Sequence, residues 1–163
     1  PFFNAHKDWK LIIAPHVIGE DHLQQITQQL QMKTVRYTQA TEATAREARC
    51  LIIDCFGLLS SIYHYGQVAY VGGGFGVGIH NVLEAAVWDM PVIFGPNNAH
   101  FREAQGLKAA QGGFDFNTRE EFEALISRLD TDAEWLAQCG QKAGAFVASM
   151  TGATRKIMDS VAL

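Results

Sequence analysis

At 163 residues, 48% apolar and 18% charged, the chain has one domain's length and a composition able to bury a sizeable core. Its formal charge of −4 lacks the basic excess that a nucleic-acid partner wants, and its apolar runs are far too short to span a bilayer. No signal-peptide pattern is visible, so a soluble piece is expected; Cys50, Cys55 and Cys139 read as buried free thiols of a reducing compartment. Cys50 and Cys55 lack C-x-x-C spacing and the six histidines are scattered, so no structural zinc site and no cofactor are expected.

In chain order, Trp9 to Ala14 predicts a strand ended by Pro15-His16, and Asp21 to Met32 a helix with Leu23, Ile26 and Leu30 inward. The loop between them lies at a strand's C-terminal end, where ligands bind in open α/β sheets, which makes Pro15 and His16 site candidates. His16 reads equally well as a solvated loop residue. Thr34 to Thr38 predicts a short strand, Thr41 to Ala48 a short polar helix and Cys50 to Asp54 a third strand. The turn Asp54-Cys55-Phe56-Gly57 then leads into an apolar helix, Leu58 to Tyr65, of which Asp54 is either the cap or a site residue beside Gly57.

Val68 to Val71 reads as a buried strand, after which five glycines fall among the seven residues from Gly72 to Gly78. Ile79, Val82, Leu83, Ala86 and Val87 then follow helical spacing, with His80, Asn81, Glu84 and Trp88 on the opposite face. A strand, a glycine turn and a helix start make an anion site suited to a phosphate, with Asn81 at the phosphate end. The pattern G-x-G-x-x-G fails in every register, because its last positions are Val77, Ile79 and Asn81, and no G-K-[ST] follows. Glu84, a turn below, can accept hydrogen bonds from the vicinal hydroxyls of a ribose or sugar, which points to a sugar nucleotide. A tight strand–helix turn, with Asn81 as its cap and Glu84 an ordinary first-turn glutamate, accounts for the same residues without a ligand.

Pro91 to Gly95 predicts another buried strand, followed by the loop Pro96-Asn97-Asn98-Ala99-His100, from which Asn97 and His100 can reach the same cleft or simply turn the chain. Phe101 to Ala110 predicts a helix, Gly112 to Phe116 a last strand, and Thr118 to Leu129 a helix opened by a capping box of Thr118 and Glu121. Ala133, Leu136, Cys139, Ala143, Phe146, Val147 and Met150 form a long apolar stripe, and a final helix, Thr154 to Leu163, follows Thr151-Gly152. The alternation predicts an α/β, Rossmann-like doubly wound parallel sheet of about six strands with helices on both faces.

The run G-G-G-F-G-x-G-x-H-N-x-L-E-A-A from Gly72, followed by P-V-I-F-G-P-N from Pro91, resembles the C-terminal domain of the 3-deoxy-D-manno-octulosonic acid (Kdo) transferases of lipid A biosynthesis. These are GT-B glycosyltransferases that use CMP-Kdo as donor, and the resemblance extends over essentially the whole chain. It implies that Gly73, Gly74, His80, Asn81 and Glu84 line a CMP-Kdo site, with Pro15, His16, Asp54, Gly57 and Asn97 on the loops around it. A CMP-sugar carries one phosphodiester, so a single helix terminus without a strong cation suits it. Two motifs depart from the family: of the usual Pro-Arg-His, Pro15 matches while His16 stands at the arginine and Val17 at the histidine, and Ile53 and Leu58 break Gly-Asp-Ser/Thr-x-Gly-Glu around Asp54 and Gly57.

The resemblance further implies transfer of Kdo to a lipid A precursor at the cytoplasmic face of the bacterial inner membrane. The acceptor, the membrane and a catalytic glutamate would be handled by an N-terminal domain whose motif has no counterpart here. Nothing before Trp9 resembles the first strand of such a C-terminal domain, so a single donor-binding domain, residues 1–163, inactive by itself, is expected. Two other readings stay open: a sugar-nucleotide epimerase of GT-B-like fold, which would want basic residues for a second phosphate, and a non-catalytic nucleotide-binding module.

Overall fold

Each strand is three residues long and pairs in parallel, and the pairing closes within two compact units, one running to Ile62 and the other starting at Tyr63. The computed structural model describes residues 2–76 and 78–161. The expected sheet of about six strands is therefore two sheets of three. Each sheet closes on its own apolar cluster, and strands this short carry few ladder bonds.

The first unit comprises α1 (Phe2–Ala5), β1 (Leu11–Ile13), α2 (Glu20–Gln29), β2 (Thr34–Arg36), α3 (Glu42–Glu47), β3 (Cys50–Ile52) and α4 (Leu59–Ile62). β3 is central, with Leu51 opposite Ile12 of β1 and Val35 of β2. Alternation sends Leu11, Ile13, Cys50 and Ile52 to one face, where Leu23, Ile26 and Leu30 pack as expected. Burial pushes the Cys50 thiol up to about 11, which suits an inert core cysteine. Thr41 and Thr44 form a reciprocal cap that starts α3.

The second unit comprises β4 (Ala69–Val71), α5 (Leu83–Ala86), β5 (Val92–Phe94), α6 (Arg102–Ala109), β6 (Gly113–Asp115), α7 (Arg119–Thr131), α8 (Ala133–Ser149) and α9 (Ala153–Ser160). β5 is central and wholly buried, which is why it reads as an unbroken apolar run. α8 buries Cys139 and Ala143 of its predicted stripe and half-buries Leu136, Phe146 and Val147, while Ala133 and Met150 are exposed. At the start of α7 the Thr118 hydroxyl accepts from the Glu121 N–H, and the Glu121 carboxylate accepts from the Asn117 N–H at 2.6 Å, with the Thr118 N–H acting on it as well. The last helix begins at Ala153, and its predicted end at Leu163 lies outside the described residues. Among the described residues no helix is long and apolar enough to cross a membrane.

Candidate functional site

The glycines after β4 form a narrow hairpin. Gly73 and Ile79 make an antiparallel bridge, the Gly74 N–H donates to the Gly78 carbonyl at 3.2 Å, and the His80 N–H to the Gly72 carbonyl at 3.1 Å. Gly73 and Gly74 have φ of +93° and +83°, a region that favours glycine. Their missing side chains matter as well: a Cβ on Gly73 would sit 2.5 Å from the Gly78 carbonyl oxygen, and one on Gly74 2.8 Å from the Gly95 Cα. Beside the hairpin is an open cleft of about 550 Å³ lined by Gly73, Phe75, Gly76, Gly78, Ile79, His80 and Phe101.

The helix expected directly after Gly78 is a single turn, Leu83–Ala86. The hairpin uses the Ile79 backbone as a bridge and the His80 N–H as a closing donor, so helical hydrogen bonding begins only with Ala86 N–H to Val82. His80 and Asn81 consequently precede the helix instead of sharing its face, and the dipole of one turn is too short to be the main anion attractor. Ile79, Val82 and Ala86 are buried as the spacing predicts, whereas Val87 is 54% exposed and Ala85 takes the core position.

Asn81 has two local jobs. Its Oδ1 accepts from the Leu83 N–H at 3.0 Å, the capping role open from the sequence, and its Nδ2 donates to Glu84 Oε1 at 2.9 Å. One oxygen of the carboxylate of the half-buried Glu84 is thus oriented by Asn81. Asn97 fastens the hairpin from the other side: its N–H donates to the Gly74 carbonyl at 2.9 Å and its Nδ2 to the Gly76 carbonyl at 2.8 Å. His100 is exposed.

The other candidates belong to the first unit. Pro15 is half-buried and His16 exposed in the loop after β1. Asp54 is not a cap of α4: its carboxylate accepts from the Thr38 N–H at 2.9 Å and the Thr38 hydroxyl at 2.5 Å. Burial by itself would raise the Asp54 carboxyl, but the two Thr38 bonds and the Arg36 charge outweigh it and hold it below its ordinary range. Arg36 in turn makes a two-pronged pair with Glu20, at 2.6 and 2.9 Å, and its hydrogen bond is the main cause that lowers the Glu20 carboxyl to about 2. Gly57 has φ +89°, with open space where a Cβ would stand.

The structure thus gathers Gly73 and His80 on one cleft, sets Gly74 and Asn97 in the hairpin's framework, and ties Asn81 to Glu84 at its edge. Sequence reasoning passed over Phe101, whose ring covers Gly78 so closely that a Cβ there would lie 2.1 Å from it. It also passed over Asn98, a buried side chain in a loop read as a turn. The signal for Phe101 was its place next to that loop, with a large apolar side chain at a helix start.

No protein-family model matches the chain. Among curated proteins it is 33% identical over 85 residues to the 3-deoxy-D-manno-octulosonic acid transferase of Aquifex aeolicus, a match covering 51% of this chain and 24% of that protein. It is 43% identical over 93 residues to the protein of that name from Chlamydia trachomatis, covering 55% and 22%. The chain therefore matches about a quarter of the length of these relatives. Among solved structures it resembles the C-terminal CMP-Kdo binding domain of WaaA from Acinetobacter baumannii, with a TM-score of 0.75 at 22% identity over 90% of this chain and 78% of that one. It also resembles the C-terminal domain of the glycosyl transferase LpcC from Francisella tularensis, with a TM-score of 0.59 at 14% identity over 93% and 74%. These likenesses give the chain the Rossmann-like α/β fold of glycosyltransferase C-terminal domains. Its sequence resembles the corresponding part of the Kdo transferases.

Proposed function

We propose that the chain is the donor-binding domain of a glycosyltransferase that moves Kdo from CMP-Kdo to a lipid A precursor in lipopolysaccharide synthesis. The observation that supports this reading is the open cleft beside the glycine hairpin with His80 on its wall, followed in the chain by Asn81 and the Glu84 it holds. Three glycines, Gly73, Gly76 and Gly78, line the cleft and leave backbone open to close approach, so the phosphodiester lies along the bridge Gly73 to Ile79, with His80 beside it. The Glu84 carboxylate keeps acceptor capacity for the ribose hydroxyls, because Asn81 engages one of its two oxygens. Phe75 and Phe101 supply apolar walls.

Among the described residues no lysine or arginine lines the cleft, which favours one phosphodiester over a pyrophosphate. Pro15, His16, Asp54 and Gly57 belong to loops of the first unit, where the Asp54 carboxylate is held by Thr38. The acceptor, the membrane and the base that deprotonates the acceptor hydroxyl belong to a further domain of the whole protein, which works at the cytoplasmic face of the inner membrane. Without that domain, approximation worth about 7–11 kcal/mol is missing.

Calorimetric titration of the purified chain with CMP, UMP and UDP tests the reading. CMP binding in preference to both is expected, whereas tighter UDP binding would replace the transferase with the epimerase. Incubation with CMP-Kdo and a lipid A precursor should yield no transfer above the enzyme-free rate. Transfer that disappears on Glu84→Gln would show that this domain holds its own base.

A further inference from the structure

We infer that Asn98 and Asp115 are positioning residues: they lock the loop after β5 so that it holds the glycine hairpin in its binding shape, and they set ligand affinity without lining the cleft. The inference rests on the reading of that cleft as the nucleotide site. Asn98 is only 1% exposed, and its amide is fully engaged. Its Nδ2 lies within hydrogen-bonding distance of the Gly95 carbonyl (2.9 Å), the Pro96 carbonyl (3.1 Å) and Asp115 Oδ2 (2.8 Å), while its Oδ1 accepts from Gln105 at 2.6 Å. Asp115, at the end of β6, is anchored in turn by Lys108 of α6 at 2.6 Å.

The peptide between Pro96 and Asn97 carries this anchoring to the hairpin. In a trans peptide the carbonyl and the following N–H point in opposite directions. Turning the Pro96 carbonyl toward the Asn98 amide therefore turns the Asn97 N–H away from it, and there it meets the Gly74 carbonyl. The same loop presses Gly95 against Gly73 and Gly74, sends the Asn97 side chain to the Gly76 carbonyl and lays Phe101 over Gly78. A buried amide is costly unless every group is paired, and an apolar side chain could fill the same space; what the amide adds is direction.

Asp115→Ala removes the outer anchor at a partly exposed site where folding survives. Without ligand, the amides of Gly74, His80 and Asn97 should exchange about tenfold faster in this variant than in the parent. CMP should bind it about fivefold more weakly. Asp115→Asn, which keeps an acceptor oxygen for Asn98, should restore CMP affinity to within about twofold. Leu129→Ala, a cavity variant in α7, serves as the stability control: it should lower the melting temperature and leave hairpin exchange and CMP affinity unchanged. Unchanged hairpin exchange in Asp115→Ala, or equal loss of CMP affinity in Leu129→Ala, overturns the proposal. Failure of the parent chain to bind CMP removes the nucleotide reading instead, and the ligand-free exchange still decides whether the anchor holds the hairpin.

Discussion

Both units place glycines and polar side chains on the loops after parallel strands, yet they spend them differently. In the first unit the polar groups satisfy one another: Asp54 with Thr38, and Arg36 with Glu20. Gly57, on one of its loops, has a left-handed backbone in open space. In the second unit the glycines touch, Gly73 against Gly78, Gly74 against Gly95, and Gly78 under Phe101, and the polar groups at the mouth keep acceptor capacity. The core differs in the same sense, since Ile12 on β1 is 41% exposed whereas all of β5 is buried. A recognition cleft needs rigid walls together with polar atoms that keep bonding capacity, which is the arrangement proposed for the second unit.

The widest separation between the two regions comes from giving their glycines a methyl group. Gly74→Ala combines left-handed strain with a clash against the Gly95 backbone and should cost about 2–4 kcal/mol, read from the urea unfolding midpoint. If Gly74→Ala folds with parental stability, the hairpin is not the close-packed object described. The next effect is on binding. Glu84→Gln should weaken CMP by about 1.5–3 kcal/mol by calorimetry, because it removes a charged acceptor from a half-buried position. Asn81→Ala should lose about 1 kcal/mol, and lose it for cytidine as well as CMP, since Asn81 works through Glu84. A loss confined to CMP would put Asn81 at the phosphate after all.

Gly57→Ala meets only the backbone preference and should cost about 1–2 kcal/mol, with CMP affinity a separate readout of whether that loop takes part in binding. A cost matching that of Gly74→Ala would erase the contrast between the units. The smallest effect is on pH dependence. The Asp54 and Asp115 carboxyls are both held below their ordinary values, Asp54 by Thr38 and Arg36 and Asp115 by Asn98 and Lys108, each against an opposing effect of burial. A depressed folded pKa contributes stability that is complete above the unfolded value of about 3.9 and is lost as pH falls through the folded value. Melting temperature should therefore decline below about pH 4, and Asp54→Asn and Asp115→Asn should each flatten the decline by under about 1 kcal/mol. A decline just as steep in both variants would assign it to other carboxylates.

Periodicity and caps were enough to locate most elements, because those signals are local. The apolar runs at β3 and β5, the short helix α3 and the stripe of α8 stand within a residue or two of their predicted places. The glycine cluster and His80 also lie together at the open cleft, since residues so close in sequence stay close in space. The tertiary structure decided what depends on partners far along the chain. Ile79, Val82, Leu83, Ala86 and Val87 satisfy helical spacing, but the bridge from Gly73 to Ile79 claims the backbone first and shortens the helix to one turn. Asp54 reads as a cap until Thr38 takes its carboxylate. Asn98 reads as a solvated turn residue until Gln105 and Asp115 close around it. In each case a hydrogen bond outside the regular helix or strand pattern outweighed the local preference, and periodicity carries no record of such a bond.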